Sequence, residues 1–296
     1  MMDLVARVET APERGETALG RGFIAAAGGK GLNQAVAAAR MGAEVRLVSR
    51  VGDDPFGRQL LDVCDAEGLD RACVSVDPEA GSGVSLIIVD AAGDNRIVAT
   101  PRANAALTPA HVDAAFDGFA PDAVLMCRET PDPPLIRAAR LARQSGARVV
   151  LNAAPASPAP PELMALTDCV VVNESEAAAL TGIKPSSPEE ALAAARALAE
   201  LGPSSAIVTL GAAGAVLLSN GARARIERFP SEAVDATGAG DAFCGALAVA
   251  LCEGSDAAGA ARIANAAGAL AVRRLGAIAS LPRRADVLAL AGTPGL

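Results

Sequence analysis

The sequence is poor in aromatic residues: it has no tryptophan, no tyrosine, six phenylalanines and a single histidine in 296 residues. Aromatic side chains provide the surfaces on which proteins stack single-stranded bases, so their scarcity argues against a nucleic-acid-binding module. The net charge of −8 argues the same way, because phosphate backbones select basic surfaces. We therefore expect no nucleic-acid partner.

Cysteine pairs and long apolar runs are also missing. The six cysteines are scattered and form no C-x-x-C pair, which argues against a zinc site or a disulfide framework and favours reduced thiols. No apolar run approaches the roughly 18 residues of a membrane span, and no signal-peptide pattern opens the chain. Because 51% of the residues are hydrophobic, a large core is expected. These features predict a cytoplasmic protein that does not contact a membrane.

The sequence does contain a regular alternation of predicted strands and helices. Strands are predicted at 44–51, 122–127, 147–151, 168–172 and 205–209, and helices between and around them at 31–42, 132–145, 174–181 and 188–201. Thr108-Pro109 predicts a further helix start, and Ser187-Pro188-Glu189-Glu190 is a capping box for the helix at 188–201. Such alternation is typical of an α/β fold, in which helices cover both faces of a mostly parallel sheet.

Two segments depart from this order. Residues 3–27 and 72–103 carry hairpin patterns, with turn residues between short apolar runs. They predict a small separate β-sheet, formed from a discontinuous part of the chain. The α/β core would then comprise residues 28–71 and 104–296.

A glycine-rich turn precedes the most apolar predicted helix, in the stretch VDATGAGDAFCGALAVAL at residues 234–251. A helix N-terminus exposes unpaired amides and a partial positive charge, and glycines let the backbone approach a ligand closely. The candidate anion site therefore consists of Thr237, Gly238, Ala239 and Gly240. Asp241 would repel an anion, but it suits a base that takes a proton from a nucleophile aimed at the anion's phosphorus. A simple helix cap is the alternative.

Two better-known phosphate-binding motifs do not fit. No stretch matches the P-loop pattern G-x-x-x-x-G-K-[ST]. A dinucleotide-binding fingerprint would need a glycine at Phe243 and would lie in the first βα unit of the chain. A nicotinamide-dependent dehydrogenase is therefore disfavoured.

A second motif lies near the start of the chain, where GGKGLNQ spans residues 28–34. Close backbone, the Lys30 ammonium and the Asn33 and Gln34 amides can together bind a ligand with many hydroxyl groups. A tight turn with a solvated lysine is the alternative.

Together, GGKGLNQAVAAARMGA and DATGAGDAF resemble the two signature regions of the PfkB-type (ribokinase-family) carbohydrate kinases. The similarity continues through RVGDDPFG, ANAALTP, LNAAP, VNESEAAALTG, TLGAAG and ANAAGALAV, in the family's order and over essentially the whole chain. The resemblance implies a Rossmann-like three-layer αβα core with a small β-sheet lid. It also implies transfer of the γ-phosphoryl group of ATP to a sugar hydroxyl, with Mg²⁺ required and K⁺ as an activator.

The resemblance assigns roles residue by residue. Asp241 is the expected catalytic base, and the amides of Thr237, Gly238, Ala239 and Gly240 are the expected anion hole. The expected sugar ligands are Asp3, Gly29, Lys30, Asn33 and Glu129. The expected nucleotide ligands are Asn173, Thr209, Gly211, Gly214 and Asn265, with Glu176 holding Mg²⁺ through water. The expected monovalent-cation loops contain Asp235, Thr237, Ala271, Arg274, Gly276 and Ser280.

Three departures from the family pattern bear on these expectations. The family opens with an apolar strand before the sugar-binding aspartate, whereas this sequence begins MMDLVARV. The absence of this strand is compatible with a misplaced start of the sequence and with a genuine truncation. Arg102 and Arg128 stand where smaller or apolar residues are usual, and arginines near a sugar site can pair with an acidic substrate.

We expect an ATP-dependent sugar kinase that converts D-ribose to ribose 5-phosphate. The alternatives are a kinase of the same family for a sugar acid, sugar phosphate, hexose or nucleoside, and a weakly active sugar-binding homologue. By analogy with the fold, the apolar lid strand at 84–90 predicts a homodimer through the β-sheet lid.

Overall fold

The computed structural model describes residues 1–292. The strands are β1 (Met2–Arg7), β2 (Gly22–Ala27), β3 (Ser49–Gly52), β4 (Val74–Asp77), β5 (Val84–Val89), β6 (Asn95–Thr100), β7 (Ala123–Cys127), β8 (Arg148–Asn152), β9 (Cys169–Val172), β10 (Ser205–Thr209), β11 (Ala215–Ser219) and β12 (Ala222–Ile226). The helices are α1 (Lys30–Arg40), α2 (Pro55–Ala66), α3 (Pro109–Phe116), α4 (Asp132–Ser145), α5 (Pro161–Leu166), α6 (Glu174–Thr181), α7 (Pro188–Glu200), α8 (Ala239–Cys252), α9 (Ala257–Ala271) and α10 (Arg284–Ala291).

A six-stranded sheet forms the centre, in the order β12-β11-β10-β9-β8-β7. Strands β7 to β10 are parallel, and β11 and β12 add an antiparallel hairpin at one edge. The predicted α/β architecture with a mostly parallel sheet is confirmed. The hairpin at β11 and β12 was not predicted, because its short strands carry only a weak alternating pattern.

Helices cover both faces of this sheet and produce two apolar cores. One core packs α1, α8, α9 and α10 against the sheet, and the other packs α4, α5, α6 and α7. Many of the helix residues that face the sheet are alanines, which lets the helices approach the strands and one another closely. The arrangement is the expected three-layer αβα core.

Several helix boundaries follow the predicted start signals. Asp132–Ser145 forms α4 as predicted, the Ser187 hydroxyl caps α7 by accepting the Glu190 amide at 3.2 Å, and Thr108 caps α3 before Pro109. The strand predicted at 44–51 is shorter than expected, because only Ser49–Gly52 pairs regularly, with β4.

A four-stranded sheet with the order β2-β1-β5-β6 forms the lid. All four strands lie in the segments 3–27 and 72–103 that the sequence assigned to it, apart from the first residue of β1. In the same segments, β4 instead joins β3 in a two-stranded sheet. The division into a core and a lid domain stays a prediction. Within residues 1–292, no helix combines the length and the apolar character that a membrane crossing requires.

Candidate functional site

The predicted site residues collect where the parallel strands end. Glu129 follows β7, Asn173 follows β9, and Thr209 is the last residue of β10. The N-terminus of α8, with Asp241 in its first turn, reaches the same edge of the sheet. Open α/β sheets bind ligands at this edge, because loops and helix N-termini converge there.

Asp241 lies at the centre of this site and is only 6% exposed. Its two carboxylate oxygens accept hydrogen bonds from Asn33 Nδ2 and Gln34 Nε2, each at 2.9 Å. Burial raises the pKa of Asp241, and the Lys30 charge and the two amide donors offset part of that rise. The carboxylate is therefore held in one orientation by neutral donors.

The close crossing of α1 and α8 brings these three side chains together. Gly245 is the contact point, since a Cβ atom there would lie 2.5 Å from the Ala37 Cβ. A larger residue at either position would separate the helices and break both hydrogen bonds to Asp241.

Lys30 and Glu129 form the charged wall of the site. The Lys30 amide donates to Glu129 Oε2 at 2.8 Å. Burial lowers the pKa of Lys30, but the carboxylates of Asp241, Glu129 and Glu176 outweigh it, so the net pKa is raised. Burial raises the pKa of Glu129, against the opposing charge of Lys30. The ammonium of Lys30 thus lies among three acids.

Asp3 joins this wall from the lid, where strand β1 carries it. Burial raises its pKa, and a hydrogen bond with Ser85 on β5 opposes that rise. A Cβ atom at Gly28 would lie 2.0 Å from Asp3 Oδ2, so a larger residue there would displace the Asp3 carboxylate. Gly29 has a φ of 87°, which favours glycine as well. The structure therefore brings all five expected sugar ligands together around Asp241.

The expected anion hole is partly occupied by the protein's own hydrogen bonds. The Thr237 amide donates to Asp235 Oδ1 at 2.9 Å, and the Ala239 amide donates to the Ala236 carbonyl at 3.2 Å. Within residues 1–292, the amides of Gly238, Gly240 and Asp241 donate to no protein acceptor. A Cβ atom at Gly240 would meet nothing within 4 Å, so this side of the turn is open.

The loops expected to hold a monovalent cation are joined by Asp235. Its Oδ1 accepts the Thr237 hydroxyl at 2.6 Å, and its Oδ2 accepts the Gly276 amide at 2.9 Å. Burial acts to raise the pKa of Asp235, but these hydrogen bonds outweigh it and lower the pKa. Asp235 is therefore an ionised anchor for the two loops.

The other residues expected to hold the cation form hydrogen bonds within their own loop. The Ser280 hydroxyl is buried and donates to the Ala277 carbonyl at 2.8 Å. The Ala271 carbonyl accepts the Arg274 amide at 3.3 Å, while the Arg274 side chain is exposed. A Cβ atom at Gly238 would lie 3.1 Å from the Ala277 Cα, so the loop packs directly against the anion turn.

Asn173 and Glu176 form a capping box at the start of α6. Asn173 Oδ1 accepts the Glu176 amide at 2.9 Å, and Glu176 Oε2 accepts the Asn173 amide at 2.9 Å. Burial raises the pKa of Glu176. Asn173 therefore caps α6, while within residues 1–292 its Nδ2 donates to no protein acceptor and remains available to a ligand.

The remaining nucleotide candidates line the adjacent strand ends. Thr209 Oγ1 donates to the Val172 carbonyl at 3.2 Å, and Asn265 Nδ2 donates to the Glu227 carbonyl at 2.7 Å. Gly211 and Gly214 have φ angles of 50° and 88° on either side of a tight turn. A Cβ atom at Gly214 would lie 2.2 Å from the Ile226 carbonyl oxygen, so the turn packs against the end of β12.

The contact between Gln34 and Asp241 was not predicted from the sequence, which offered Gln34 only as one of the groups that could bind a ligand with many hydroxyl groups. The available signal was a large polar residue within an alanine-rich apolar helix, where an unpaired amide would be costly.

The two arginines that depart from the family pattern both donate hydrogen bonds to the protein itself. Arg128 donates to the Ser157 carbonyl at 2.7 Å and pairs with Asp132 at 3.1 Å, whereas Arg102 donates weakly to the Ser82 carbonyl at the lid edge.

A fold of this kind, with a buried carboxylate beside free helix amides, defines a class of phosphoryl-transfer enzymes. The pattern of the pfkB family carbohydrate kinases matches residues 1–284, and the chain belongs to this family.

Individual relatives narrow the comparison. The chain is 37% identical to a ribokinase from Haemophilus influenzae, covering 93% of this chain and 90% of that protein. It is 38% identical to a ribokinase from Bacillus subtilis, over 97% of this chain and 94% of that protein. A solved structure of Arabidopsis thaliana ribokinase complexed with ribose and ATP matches it with a TM-score of 0.88 and 31% identity, covering 98% and 95%.

Proposed function

We propose that this protein is an ATP-dependent kinase that phosphorylates D-ribose to ribose 5-phosphate. The observation that carries the proposal is the Asp241 carboxylate, buried and held by Asn33 and Gln34 beside the free amides of Gly238 and Gly240. The similarity to ribokinases over more than 90% of the chain supports ribose as the substrate.

Asp241 accepts the proton of the attacking sugar hydroxyl. The hydroxyl oxygen then bonds to the γ-phosphorus, the bond from phosphorus to the bridging oxygen breaks, and ADP leaves with that electron pair. The raised pKa of Asp241 suits this role, because a base is most effective when its pKa approaches the working pH. The amides of Gly238 and Gly240 hold the charge of the transferring group.

The sugar is held by alternating donors and acceptors. Lys30 donates, Asp3 and Glu129 accept, and Asn33 Oδ1 is a buried acceptor without a protein partner. A buried polar atom of this kind needs a hydrogen bond, which a sugar hydroxyl can supply. The carboxylates of Asp3 and Glu129 can accept hydrogen bonds from neutral hydroxyl groups, and their charges repel an anionic sugar.

The nucleotide is proposed to bind across the ends of β9 and β10, near Asn173 Nδ2, Thr209, Gly211, Gly214 and Asn265. Among residues 1–292, no group of three His, Cys, Asp or Glu side chains is placed to hold a metal directly. This fits Mg²⁺, which keeps several waters and binds mainly through substrate phosphates. Glu176 would hold one of those waters, and the ion would offset phosphate charge.

A K⁺ ion is proposed to lie between the Asp235 turn and the loop that contains Gly276 and Ser280. The donor set fits a large monovalent cation, since it consists of one ionised carboxylate, hydroxyl oxygens and backbone carbonyls. Because this loop packs against Gly238, the ion would order the anion turn before ATP binds.

The contacts of the arginines disfavour an acidic substrate. Arg128 is committed to Ser157 and Asp132, and its side chain is 7% exposed. Arg102 lies at the lid edge, on a residue with a φ of 48°, and its guanidinium donates to the Ser82 carbonyl at 3.2 Å. Neither guanidinium is arranged with a second one to bind a carboxylate or phosphate.

The lid is proposed to pair with a second copy of the chain in solution. The strand register places Phe23, Leu86 and Val98 on one face of the lid sheet and Ile24 and Ile97 on the other, and all five are exposed. Large apolar residues exposed together on one face of a sheet favour association. We also propose a cytoplasmic location, supported by the six free cysteines.

A coupled ADP-release assay tests the function. The purified protein is given ATP and Mg²⁺ with a panel of pentoses, hexoses, sugar acids, sugar phosphates and nucleosides, in potassium and in sodium buffers of equal ionic strength. We expect D-ribose to give the highest kcat/KM, with faster turnover in potassium.

Asp241→Asn is the matched control, because asparagine is nearly isosteric and cannot accept the proton. It should bind ATP normally and lose about 10²- to 10⁴-fold in kcat. Sugar-dependent ADP release equal to that of the unchanged protein would remove Asp241 from the mechanism. A sugar acid or sugar phosphate that exceeds ribose by a hundredfold would replace the proposed substrate.

A further inference from the structure

Two of the connections between the lid sheet and the rest of the molecule meet at one point. The first connection, residues 78–83, leads from β4 to β5, and the second, residues 101–103, follows β6. The Ala103 amide donates to the Gly81 carbonyl at 3.0 Å. The two connections are therefore joined through their backbones, at the place where the lid sheet pivots if it moves.

Ser82 lies at this junction and is fully buried. Its hydroxyl accepts the Gly52 amide at 3.0 Å and donates to Asp54 Oδ1 at 2.7 Å. The Ser82 amide donates to the other carboxylate oxygen, Asp54 Oδ2, also at 2.7 Å. A Cβ atom at Gly52 would lie 2.5 Å from the Ser82 nitrogen, so the end of β3 touches the first connection directly. The core thus binds the lid connection through one serine.

Asp54 holds Ser82 and the start of α2 at the same time. Its Oδ1 also accepts the Gly57 amide at 2.7 Å, which caps the helix. Burial acts to raise the pKa of Asp54, but the hydrogen bonds from Gly57 and Ser82 and the charge of Arg102 outweigh it and lower the pKa. The carboxylate is therefore ionised, and its hydrogen bonds with Ser82 are of the strong, charge-assisted kind.

Arg102 contacts the same serine from the second connection. Its Nη1 donates to the Ser82 carbonyl at 3.2 Å, and a Cβ atom at Gly81 would overlap the guanidinium. The backbone of Arg102 has a φ of 48°, in the left-handed region that an arginine rarely adopts. Such a conformation is unfavourable and persists only where surrounding contacts hold it. The guanidinium contact with Ser82 is one such contact.

The junction lies directly before the strand that supports Asp3. β5 begins two residues after Ser82, and the Gly83 carbonyl accepts the Met2 amide at 2.8 Å. β5 then pairs with β1 so that Ser85 lies opposite Asp3, and a side-chain hydrogen bond joins these two residues. A displacement of Ser82 therefore displaces Asp3 through the paired strands.

We propose that Asp54, Ser82 and Arg102 form a hinge clamp that positions the lid, and with it Asp3, over the sugar site. All three are positioning residues, because none is among the expected sugar or nucleotide ligands. Their role in sugar binding rests on the proposed function. With the clamp loosened, the lid opens more often and the sugar binds more weakly, while Asp241 and the anion turn keep their geometry.

Ser82→Ala is the first test, because it removes the hydroxyl and leaves the backbone of both connections unchanged. The Gly52 amide and Asp54 Oδ1 then each lose a partner. In hydrogen-exchange mass spectrometry of the ligand-free protein, peptides covering β1 and β5 should exchange at least about tenfold faster, whereas peptides of β8 and β9 should not change. Ser205→Ala is the matched control, because its hydroxyl is hydrogen-bonded to Ser219 at the opposite end of β10 from the site. It should leave lid exchange unchanged.

Two results of this measurement would overturn the proposal. One is lid exchange in Ser82→Ala that equals that of the unchanged protein. The other is an equal rise in the lid and in the core strands, because it would mean that the serine contributes only to general stability.

Arg102→Gly tests the clamp from the second connection. It removes the guanidinium and also relieves the unfavourable φ. Lid peptides should nevertheless exchange about threefold faster, because the contact with Ser82 is lost. Asn220→Gly is the matched control, since Asn220 has a φ of 47° in the turn between β11 and β12. It should leave lid exchange unchanged. Slower lid exchange in Arg102→Gly would mean that the arginine strains the hinge and does not hold it.

Steady-state kinetics test the link to the sugar site. Ser82→Ala should raise the KM for the sugar by about tenfold and leave kcat and the KM for ATP within about twofold, since the reacting groups do not move. A lower kcat with an unchanged KM for the sugar would contradict a role in positioning Asp3. If the unchanged protein phosphorylates no sugar, the proposed function fails, and the exchange measurements alone decide whether the clamp holds the lid.

Discussion

At the scale of single residues, the protonation of Asp241 depends on a few contacts. Burial raises its pKa, while Lys30, Gln34 and Asn33 lower it. Within residues 1–292, the side-chain hydrogen bond of Gln34 goes to Asp241, so we regard Gln34 as a positioning residue. Its amide both orients the carboxylate and favours the charged form that a base requires.

Replacing Gln34 should therefore change a pH profile. In Gln34→Leu, the loss of one donor raises the pKa of Asp241 further. The base then stays protonated to higher pH, and the acidic limb of kcat/KM against pH moves upward. Gln144→Leu, the same change at an exposed position on α4, should leave the profile unchanged. A lower rate with an unmoved limb would mean that Gln34 is only structural.

At the scale of elements, the Asn173 side chain at the start of α6 both caps the helix and faces the proposed nucleotide site. Asn173 Oδ1 caps the helix by accepting the Ser175 and Glu176 amides, both at 2.9 Å. The proposed nucleotide contact uses the other end of the same amide group, Nδ2. The two roles can be separated because they use different atoms.

Asn173→Asp should retain the cap and lose the donor, since aspartate is as good a cap as asparagine. We expect an unchanged Tm and a KM for ATP raised by about tenfold, because a negative charge would face the phosphates. Asn173→Ala should instead lower stability by about 1 kcal/mol. Thermal unfolding and ATP titration of both variants provide the measurement. An unchanged KM in Asn173→Asp would remove this residue from the nucleotide site.

At the scale of the whole molecule, the site reduces stability. Burial raises the pKa of Asp3, Glu129, Glu176 and Asp241, so each carboxylate is less favourable in the folded state than in the unfolded chain. Between the ordinary pKa and the raised one, the folded state binds more protons. Stability from these groups therefore falls as pH rises through that window.

Glu129→Gln should accordingly stabilise the protein at pH 8, where the native carboxylate is ionised. The gain should shrink as the pH falls through the raised pKa and vanish below the ordinary glutamate value of about 4.3. Glu200→Gln, an exposed position at the end of α7, should change Tm little at any pH. A Tm gain that does not depend on pH would contradict this account.

The prediction of the fold from the sequence succeeded where local signals were strong. Helix starts at Pro109 and Pro188 followed from capping residues and first-turn prolines. The predicted strand at 44–51 failed in its first half, because pairing depends on a neighbour that no local pattern specifies. The β11–β12 hairpin was not predicted because its short strands carry only a weak alternating pattern.

The sequence by itself determined the α/β class, the glycine turn before α8 and the type of chemistry that Asp241 can perform. These properties depend on hydrophobic period, helix polarity and the identity of one acid, all of which are local. The tertiary structure decided that Gln34 holds Asp241 and that Arg128 is committed to Ser157. Each of these depends on residues far apart in the chain, which only close packing of the folded core brings together.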